Sequence, residues 1–132
     1  MVGKMTGAGD PDNRRNMRFG DQLSADEKRV LENFKKLGAI RRAHPALRYG
    51  SRRTLAADHD LYAFVRAHLN DRVAVVFNRA KSAAKMDTTV APETEDVDYA
   101  DALSGKQLEV KNGKLEFNLP AQTAALITKE RD

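Results

Sequence analysis

The sequence predicts a mainly β protein, in which a long loop and one amphipathic helix precede a small antiparallel β domain. Three observations support this fold class. Apolar residues recur with a helical period between residues 24 and 43, they alternate with polar residues over much of 51–132, and turn-forming residues divide that second part into short segments. Seven or eight short strands in this arrangement are typical of an antiparallel sandwich or barrel.

The first 22 residues predict a loop without regular structure. They are polar, they show no apolar period, and turn-forming residues interrupt them repeatedly: Gly3, Gly7, Gly9, Pro11 and Gly20. Loops of this length are uncommon in compact domains and are usually functional or disordered.

One helix is predicted over about residues 24–43. Ser24 and Glu27 have the spacing of a capping box, in which each side chain bonds the backbone N–H of the other residue. Pro45 cannot continue a helix, which places its end near Ala43. An apolar stripe runs along one face, and Ile40 widens it: Val30, Leu31, Phe34 and Leu37. Because a small sandwich already buries its own inner faces, we expect this stripe to need a further partner.

Alternation of apolar and polar residues predicts the strands that follow. Residues 61–69 and 72–77 are expected to pair around a turn at Asn70-Asp71. The clearest hairpin has the type I′ dipeptide Asn112-Gly113 between two alternating segments. The remaining strands are predicted over three segments: 83–90, 97–103 and 124–128.

Composition limits the possible functions. The longest strongly apolar run, residues 73–77, is far shorter than a membrane span, and the N-terminus lacks the apolar segment of a secretory signal. The chain has no cysteine, which excludes disulfides, thiol nucleophiles and cysteine-bound zinc. Residues 1–57 carry 13 basic against 6 acidic side chains, whereas 58–132 carry 10 against 13. The basic half could contact nucleic acid, a membrane or an acidic protein surface.

No complete catalytic or metal-binding set is visible in the sequence. His44, His59 and His68 have neither an i, i+4 spacing nor a nearby nucleophile pattern, so we expect surface or turn histidines. Asp10 and Asp12 begin like a calcium loop, but arginines occupy the two positions where an oxygen ligand and a glycine are required. We therefore expect no metal ion, no cofactor and no catalytic residue in this chain.

Basic side chains are numerous in the first half, but nucleic-acid sites usually combine them with aromatic side chains or a known motif. Neither is present in the sequence. A basic nucleic-acid-binding protein is therefore the less favoured alternative, and we expect neither nucleic acid nor a membrane as a partner.

Several segments resemble, in order along the chain, the motifs of one known family. Residues 9–19 contain Asp-Pro-Asp-Asn-Arg-Arg-Asn-Met, and residues 40–47 end in Arg-Arg-Ala-His-Pro-Ala-Leu. Residues 61–66 and 73–78 are two apolar segments that would pair as strands. Together they resemble the α-amylase family, glycoside hydrolase family 13, and within it the cyclomaltodextrinase and neopullulanase branch. There the first segment follows the last barrel strand, the second ends the last barrel helix, and the other two are the first paired strands of the C-terminal β domain. The likeness extends over nearly the whole chain.

This resemblance implies a Greek-key β-sandwich over residues 51–132, the family's C-terminal domain. Residues 1–50 would then be a remnant of the preceding (β/α)₈ barrel, namely its last loop at 1–22 and its last helix. The resemblance also explains the apolar stripe, which would pack on the barrel. It implies that the nucleophile, the acid/base residue and the third catalytic carboxylate of the family lie upstream and are absent from this sequence.

The same resemblance implies one substrate contact. An Asp and an Arg of the last barrel loop reach sugar hydroxyls in related enzymes, and Asp10 and Arg14 match them in this sequence. Alternatively, Asp10 and Arg14 pair with each other and brace the loop. The resemblance thus predicts a non-catalytic region of an α-glucan hydrolase, which stabilises the barrel and contributes one loop to the substrate cleft.

A free-standing carbohydrate-binding module is the main alternative. Such modules usually stack sugars on exposed aromatic rings, whereas this chain has no tryptophan and only 6% aromatic residues. The expected partners are the barrel of the parent chain, an α-glucan in the intact enzyme and, through the apolar stripe, a second copy of this chain. The compartment stays open between secreted, periplasmic and cytoplasmic.

Overall fold

The computed structural model describes residues 16–94 and 98–129. Within them the chain forms two helices and eight strands, and it divides into two compact units between Ala39 and Ile40. The helices are α1 (Ala25–Ala43) and α2 (Ala46–Tyr49), and a 3₁₀ turn occupies Gly20–Gln22. The strands are β1 (Ser51–Ala57), β2 (Leu61–His68), β3 (Asp71–Asn78), β4 (Ala84–Thr89), β5 (Asp98–Asp101), β6 (Gln107–Lys111), β7 (Lys114–Leu119) and β8 (Thr123–Lys129).

The start of α1 shows the capping box that the sequence predicts. The backbone N–H of Ser24 donates to Glu27 Oε2 over 2.8 Å, and the backbone N–H of Glu27 donates to Ser24 Oγ over 3.3 Å. These bonds satisfy two of the donors that a helix N-terminus leaves without an intrahelical partner. Acidic side chains in the first turn and basic side chains in the last turn further suit the helix dipole.

The strands form one sheet whose order, within the described residues, is β1-β2-β3-β8-β5-β6-β7-β4, and all its pairs are antiparallel. Strands β5, β6 and β7 follow one another, and β4 returns to lie beside β7, which is the Greek-key arrangement. The sheet folds back on itself, because Thr88 Oγ1 of β4 donates to the carbonyl of Leu55 in β1 over 3.3 Å. The predicted fold class, a Greek-key β-sandwich after one amphipathic helix and a loop, is confirmed.

Alternate residues of the strands build the main core. Residues of β6 and β7 alternate strictly between exposed and buried, as expected for strands with one solvated face. The largest side chains that are fully buried come from β4, β7 and β8: Met86, Leu115 and Ile127.

Two hairpins show where the sequence prediction holds and where it is wrong. Asn112 and Gly113 both have positive φ, at 51° and 69°, as the predicted type I′ turn requires. The turn between β2 and β3, however, consists of Leu69 and Asn70 rather than Asn70-Asp71, and Leu69 has φ 49°. Asp71 is instead the first residue of β3 and pairs with His68 across the hairpin.

Helix α2 was not predicted, because Pro45 indicated only where α1 ends. Proline is nevertheless well suited to the start of a helix, and the Pro45 carbonyl accepts from the N–H groups of Arg48 and Tyr49. Ala46 and Leu47 of α2 are buried in a second apolar cluster with three residues of the sheet: Val73, Val75 and Leu126. Residues 46–50 therefore pack with the β unit, while the predicted division into a barrel remnant and a β domain after residue 50 stays a prediction.

Within the described residues, neither helix combines the length and the apolar character that crossing a membrane would require.

Candidate functional site

The two predicted substrate-binding residues, Asp10 and Arg14, lie outside the described residues, so their role stays a prediction. The described end of the same loop is attached to the first turn of α1. Arg18 forms an ion pair with Glu27, and the backbone N–H of Phe19 donates to Gln22 Oε1 over 3.1 Å. The point at which the predicted loop leaves the helix is therefore held by local hydrogen bonds.

Glu27 is the residue on which this attachment depends. It accepts from the backbone N–H of Ser24 and from the guanidinium of Arg18. The hydrogen bond from Ser24, followed by the bond and charge of Arg18, holds the pKa of the Glu27 carboxyl below its ordinary value. Glu27 thus stays ionised at neutral pH, where it suits the positive end of the helix dipole.

A second group of polar contacts joins the end of α1 to the sheet. Asp71 Oδ1 lies 2.9 Å from His44 Nδ1, and Asp71 Oδ2 accepts from the backbone N–H of Ala46 over 2.8 Å. Both side chains are largely shielded from solvent. His44 does lie in the turn between α1 and α2, as one of the two expectations had it, but it is no surface histidine, since it forms a partly buried pair with a strand residue. His59, by contrast, is exposed in a loop beside Asp60.

The backbone between α2 and β1 is held by two arginines. Arg66 Nη2 donates to the Gly50 carbonyl over 2.6 Å, and the Leu47 carbonyl accepts from both Arg41 and Arg66. A Cβ added at Gly50 would lie 2.5 Å from the Ala46 carbonyl oxygen, so only glycine fits there without a backbone shift. Residues 44–50, which we call the junction, therefore adopt one conformation fixed from several sides.

Three aromatic rings, of which Phe77 is exposed and the other two are half-buried, lie on β2 and β3. Tyr62 and Phe64 have ring centroids 5.8 Å apart, and Phe64 lies 6.5 Å from Phe77, which is 44% exposed. The Arg52 guanidinium lies 4.6 Å from the centroid of Phe64 and 5.5 Å from that of Tyr62. The planes of Tyr62 and Phe64 are inclined to each other by 49°, and those of Phe64 and Phe77 by 35°. Arg52 already packs over two of the three rings. They do not form a flat platform of the kind that stacks sugars.

A groove of about 600 Å³ runs over the outer faces of β4, β6 and β7. Two ion pairs, Lys85 with Glu116 and Lys111 with Glu109, occupy its walls. Each lysine's bond to its glutamate raises the pKa of that lysine, and the bond from Lys85 lowers the pKa of Glu116. Phe117 and Leu108 form the floor but are buried. The groove is therefore a solvated, charge-paired sheet face rather than an apolar ligand pocket.

The described residues contain no cluster of side chains suited to hold a metal ion. The buried carboxylate of Asp101 has a structural role instead. Its two oxygens accept from the backbone N–H groups of Leu103, Ser104 and Leu126 and from the Ser104 hydroxyl. These bonds fix the turn after β5 against β8 and leave the carboxylate fully engaged.

The antiparallel β-sandwich is consistent with the C-terminal β domain of an α-amylase-type enzyme. Residues 52–126 match the family model described as "Maltogenic Amylase, C-terminal domain". That match covers more than half of the chain, and the chain belongs to this family. The resemblance to the α-amylase family that the sequence motifs indicate is thereby confirmed.

Curated relatives extend the likeness beyond the β domain. The amylopullulanase of Thermoanaerobacter thermohydrosulfuricus is 30% identical over 136 residues, which cover 95% of this chain and 9% of that protein. Neopullulanase 2 of Thermoactinomyces vulgaris is 32% identical over 117 residues, which cover 87% of this chain and 20% of that protein. The second relative supports the neopullulanase branch. The chain spans only about a tenth to a fifth of the length of these relatives.

Solved structures show the same fold. The α-amylase of Geobacillus thermoleovorans, solved in complex with acarbose, superposes with a TM-score of 0.76 at 21% identity. The superposition covers 93% of this chain and 27% of the amylase. At this identity the likeness establishes the fold and carries nothing about substrate.

Proposed function

We propose that this chain works as the C-terminal, non-catalytic region of an α-amylase-family glycoside hydrolase that acts on α-glucans. In this proposal it stabilises the catalytic barrel and contributes one loop to the substrate cleft. The observation that supports it most directly is the combination of an exposed apolar stripe on α1 with the fixed junction that follows. A helix with such a face is well suited to be part of a neighbouring domain. The junction would then connect that domain to the sandwich.

The stabilising role rests on the stripe. Phe34 is 73% exposed, and Val30, Leu31 and Leu37 are each at least 36% exposed. None of the 19 described residues of α1 is buried. Covering apolar surface stabilises a fold by roughly 25 cal/mol for each Å² removed from water, so a barrel that covered this face would gain stability from it.

The substrate role rests on the loop before α1. A carboxylate accepts from sugar hydroxyls and a guanidinium donates to them, so Asp10 and Arg14 have suitable chemistry for a glucan. The described end of the loop is held by Arg18 and Glu27. In the proposal, this attachment limits how far the loop can move from the mouth of a barrel.

A chimera with a relative tests the proposal. This chain would replace the segment that it matches in neopullulanase 2 of Thermoactinomyces vulgaris, and the thermal midpoint and maltodextrin hydrolysis would be measured. We expect an active chimera more stable than the enzyme truncated before that segment. In the chimera, Asp10→Ala and Arg14→Ala should each lower kcat/KM about 10-fold or more, because each removes hydrogen bonds to the substrate. The thermal midpoint should stay unchanged.

Two results would contradict the proposal. The first is hydrolysis of maltodextrin by the 132-residue chain alone, since that requires catalytic groups within it. The second is a chimera no more stable than the truncated enzyme. If Asp10→Ala and Arg14→Ala lowered only the thermal midpoint, the two residues would brace the loop instead of binding substrate.

A further inference from the structure

The outer faces of the two halves of the sheet differ in composition. On β4, β6 and β7 the side chains that point away from the core are exposed and charged or polar: Lys85, Asp87, Glu109, Lys111, Glu116 and Asn118. Such a face is expected where a sheet meets water. On β2 and β3 most outward side chains are instead aromatic or aliphatic: Tyr62, Phe64, Val73, Val75 and Phe77. This second outer face therefore needs a cover.

The junction supplies part of that cover. Val75 of β3 and Leu126 of β8 lie opposite each other and are buried in one cluster with Ala46 and Leu47. The next row, toward the end of β3, consists of three side chains that lie opposite one another on neighbouring strands: Tyr62, Phe77 and Ala124. Phe77 is 44% exposed and the other two are half-buried. The described part of the chain thus leaves apolar surface open to water at this end of the sheet.

Arg52 adds a guanidinium group to this open row. It lies 5.5 Å from the ring centroid of Tyr62 and 4.6 Å from that of Phe64. Among the described residues Arg52 forms no ion pair, in contrast to its neighbour Arg53. Tyrosine and arginine are enriched at the centres of protein–protein contacts, where neighbouring apolar groups exclude water. This composition points to a protein as the partner, because the tilted and partly occupied rings do not suit a sugar.

We propose that four residues form a second contact with the domain to which α1 belongs: Arg52, Tyr62, Phe64 and Phe77. We call them the ring surface. The inference rests on the proposed function, in which that domain is a catalytic barrel that precedes the sandwich. The path of the chain selects this partner, since Ile40 in the last turn of α1 packs in the same outer cluster as Phe64. The chain therefore enters the β unit on the side of the sheet that carries the ring surface.

Thiol labelling in two settings tests the contact, because the chain has no cysteine of its own. Phe77→Cys would be introduced into the 132-residue chain and into the chimera with neopullulanase 2. Mass spectrometry of the peptide that contains residue 77 would follow the labelling. We expect fast labelling in the isolated chain and labelling about 10-fold or more slower in the chimera, where the thiol reacts only when the contact opens.

Asn118→Cys, on the polar outer face of β7, is the matched control and should be labelled equally fast in both settings. Oxidation of Phe77 by hydroxyl radicals reads the same contact without a substitution. It should be strong in the isolated wild-type chain and weak in the wild-type chimera.

The outcomes separate this inference from the proposed function. Equal labelling of residue 77 in both settings, in a chimera more stable than the truncated enzyme, would overturn the ring surface and leave the proposed function standing. A chimera no more stable than the truncated enzyme would contradict the proposed function, and the inference with it. If labelling in the isolated chain slowed as its concentration rose, a second copy would cover the rings and the assignment to the barrel would be wrong.

Discussion

Asp71 shows how one carboxylate can fix the path of the chain between a helix and a sheet. Its two oxygens reach His44 at the end of α1 and the backbone N–H of Ala46 at the start of α2. Ala46 is fully buried, so no water can replace the carboxylate as a hydrogen-bond acceptor there. The order of the junction therefore depends on a residue that is 25 positions away in the sequence.

We expect Asp71→Ala to destabilise the β unit by about 1–3 kcal/mol, because it leaves a buried backbone donor without an acceptor. Asp71→Asn should cost less, since an amide oxygen can still accept from Ala46. Urea denaturation followed by circular dichroism would measure both free energies of unfolding. Asp87→Ala, at an exposed position of β4, is the matched control and should have almost no effect. Equal midpoints for Asp71→Ala and Asp87→Ala would refute this role.

At the scale of single elements, β1 is attached to the turn after β4 by a bidentate ion pair. Arg53 Nε and Nη2 lie 2.6 Å and 2.5 Å from the two carboxylate oxygens of Glu93. Arg53 Nη2 also donates to the Ala91 carbonyl over 3.0 Å. The hydrogen bonds between the two side chains raise the pKa of Arg53 and lower that of Glu93. The pair thus connects an edge strand to a segment that is 40 residues away.

The lowered pKa of Glu93 predicts a loss of stability in acid. Its folded-state pKa lies below the ordinary value of 4.5. The pair therefore stabilises the fold above about pH 4.5, and this contribution is lost as the pH falls through the folded-state pKa. We expect Glu93→Gln to show a smaller decrease in unfolding free energy between about pH 7 and pH 3 than the wild-type chain. Glu109→Gln, which removes the exposed pair with Lys111, is the control. If both variants have the pH dependence of the wild-type chain, the Arg53–Glu93 pair contributes nothing to the acid stability.

Elements whose signals are local could be predicted from the sequence. The capping box of α1 needs only Ser24 and Glu27, and the last hairpin needs only Asn112 and Gly113, so both are readable from neighbouring residues. Strand β1 escaped prediction because it is a largely exposed edge strand without apolar alternation. The turn at Leu69 escaped because an unfavourable positive φ is imposed there by the pairing of β2 with β3.

The candidate site was accessible to prediction only in part. Asp10 and Arg14 follow from a resemblance to a family motif, and no physical rule of spacing would have selected them. The polar contacts of Asp71 and Arg66 could not be predicted, because their partners are 16 to 27 residues away and meet only once α2 packs on the sheet. In sequence the Arg-Arg-Ala-His-Pro-Ala-Leu segment only resembles a family motif, whereas the structure gives it a physical role, because four of its residues belong to the junction.

At the scale of the whole molecule, the apolar stripe of α1 is the surface on which the proposed stabilising role rests. In that proposal a barrel covers the stripe in the longer enzyme, whereas in the isolated chain Phe34 is 73% exposed.

The proposed cover of this stripe by a barrel predicts that the effect of one substitution depends on context. In the isolated chain Phe34→Glu should change the unfolding free energy of the β unit by less than about 0.5 kcal/mol, because the side chain is exposed. In the chimera it should destabilise by about 3 kcal/mol or more, since a charge would be buried against the barrel. Lys36→Glu is the control in both settings. Thermal denaturation would measure all four variants, and a Phe34→Glu chimera as stable as its parent would show that the barrel leaves the stripe uncovered.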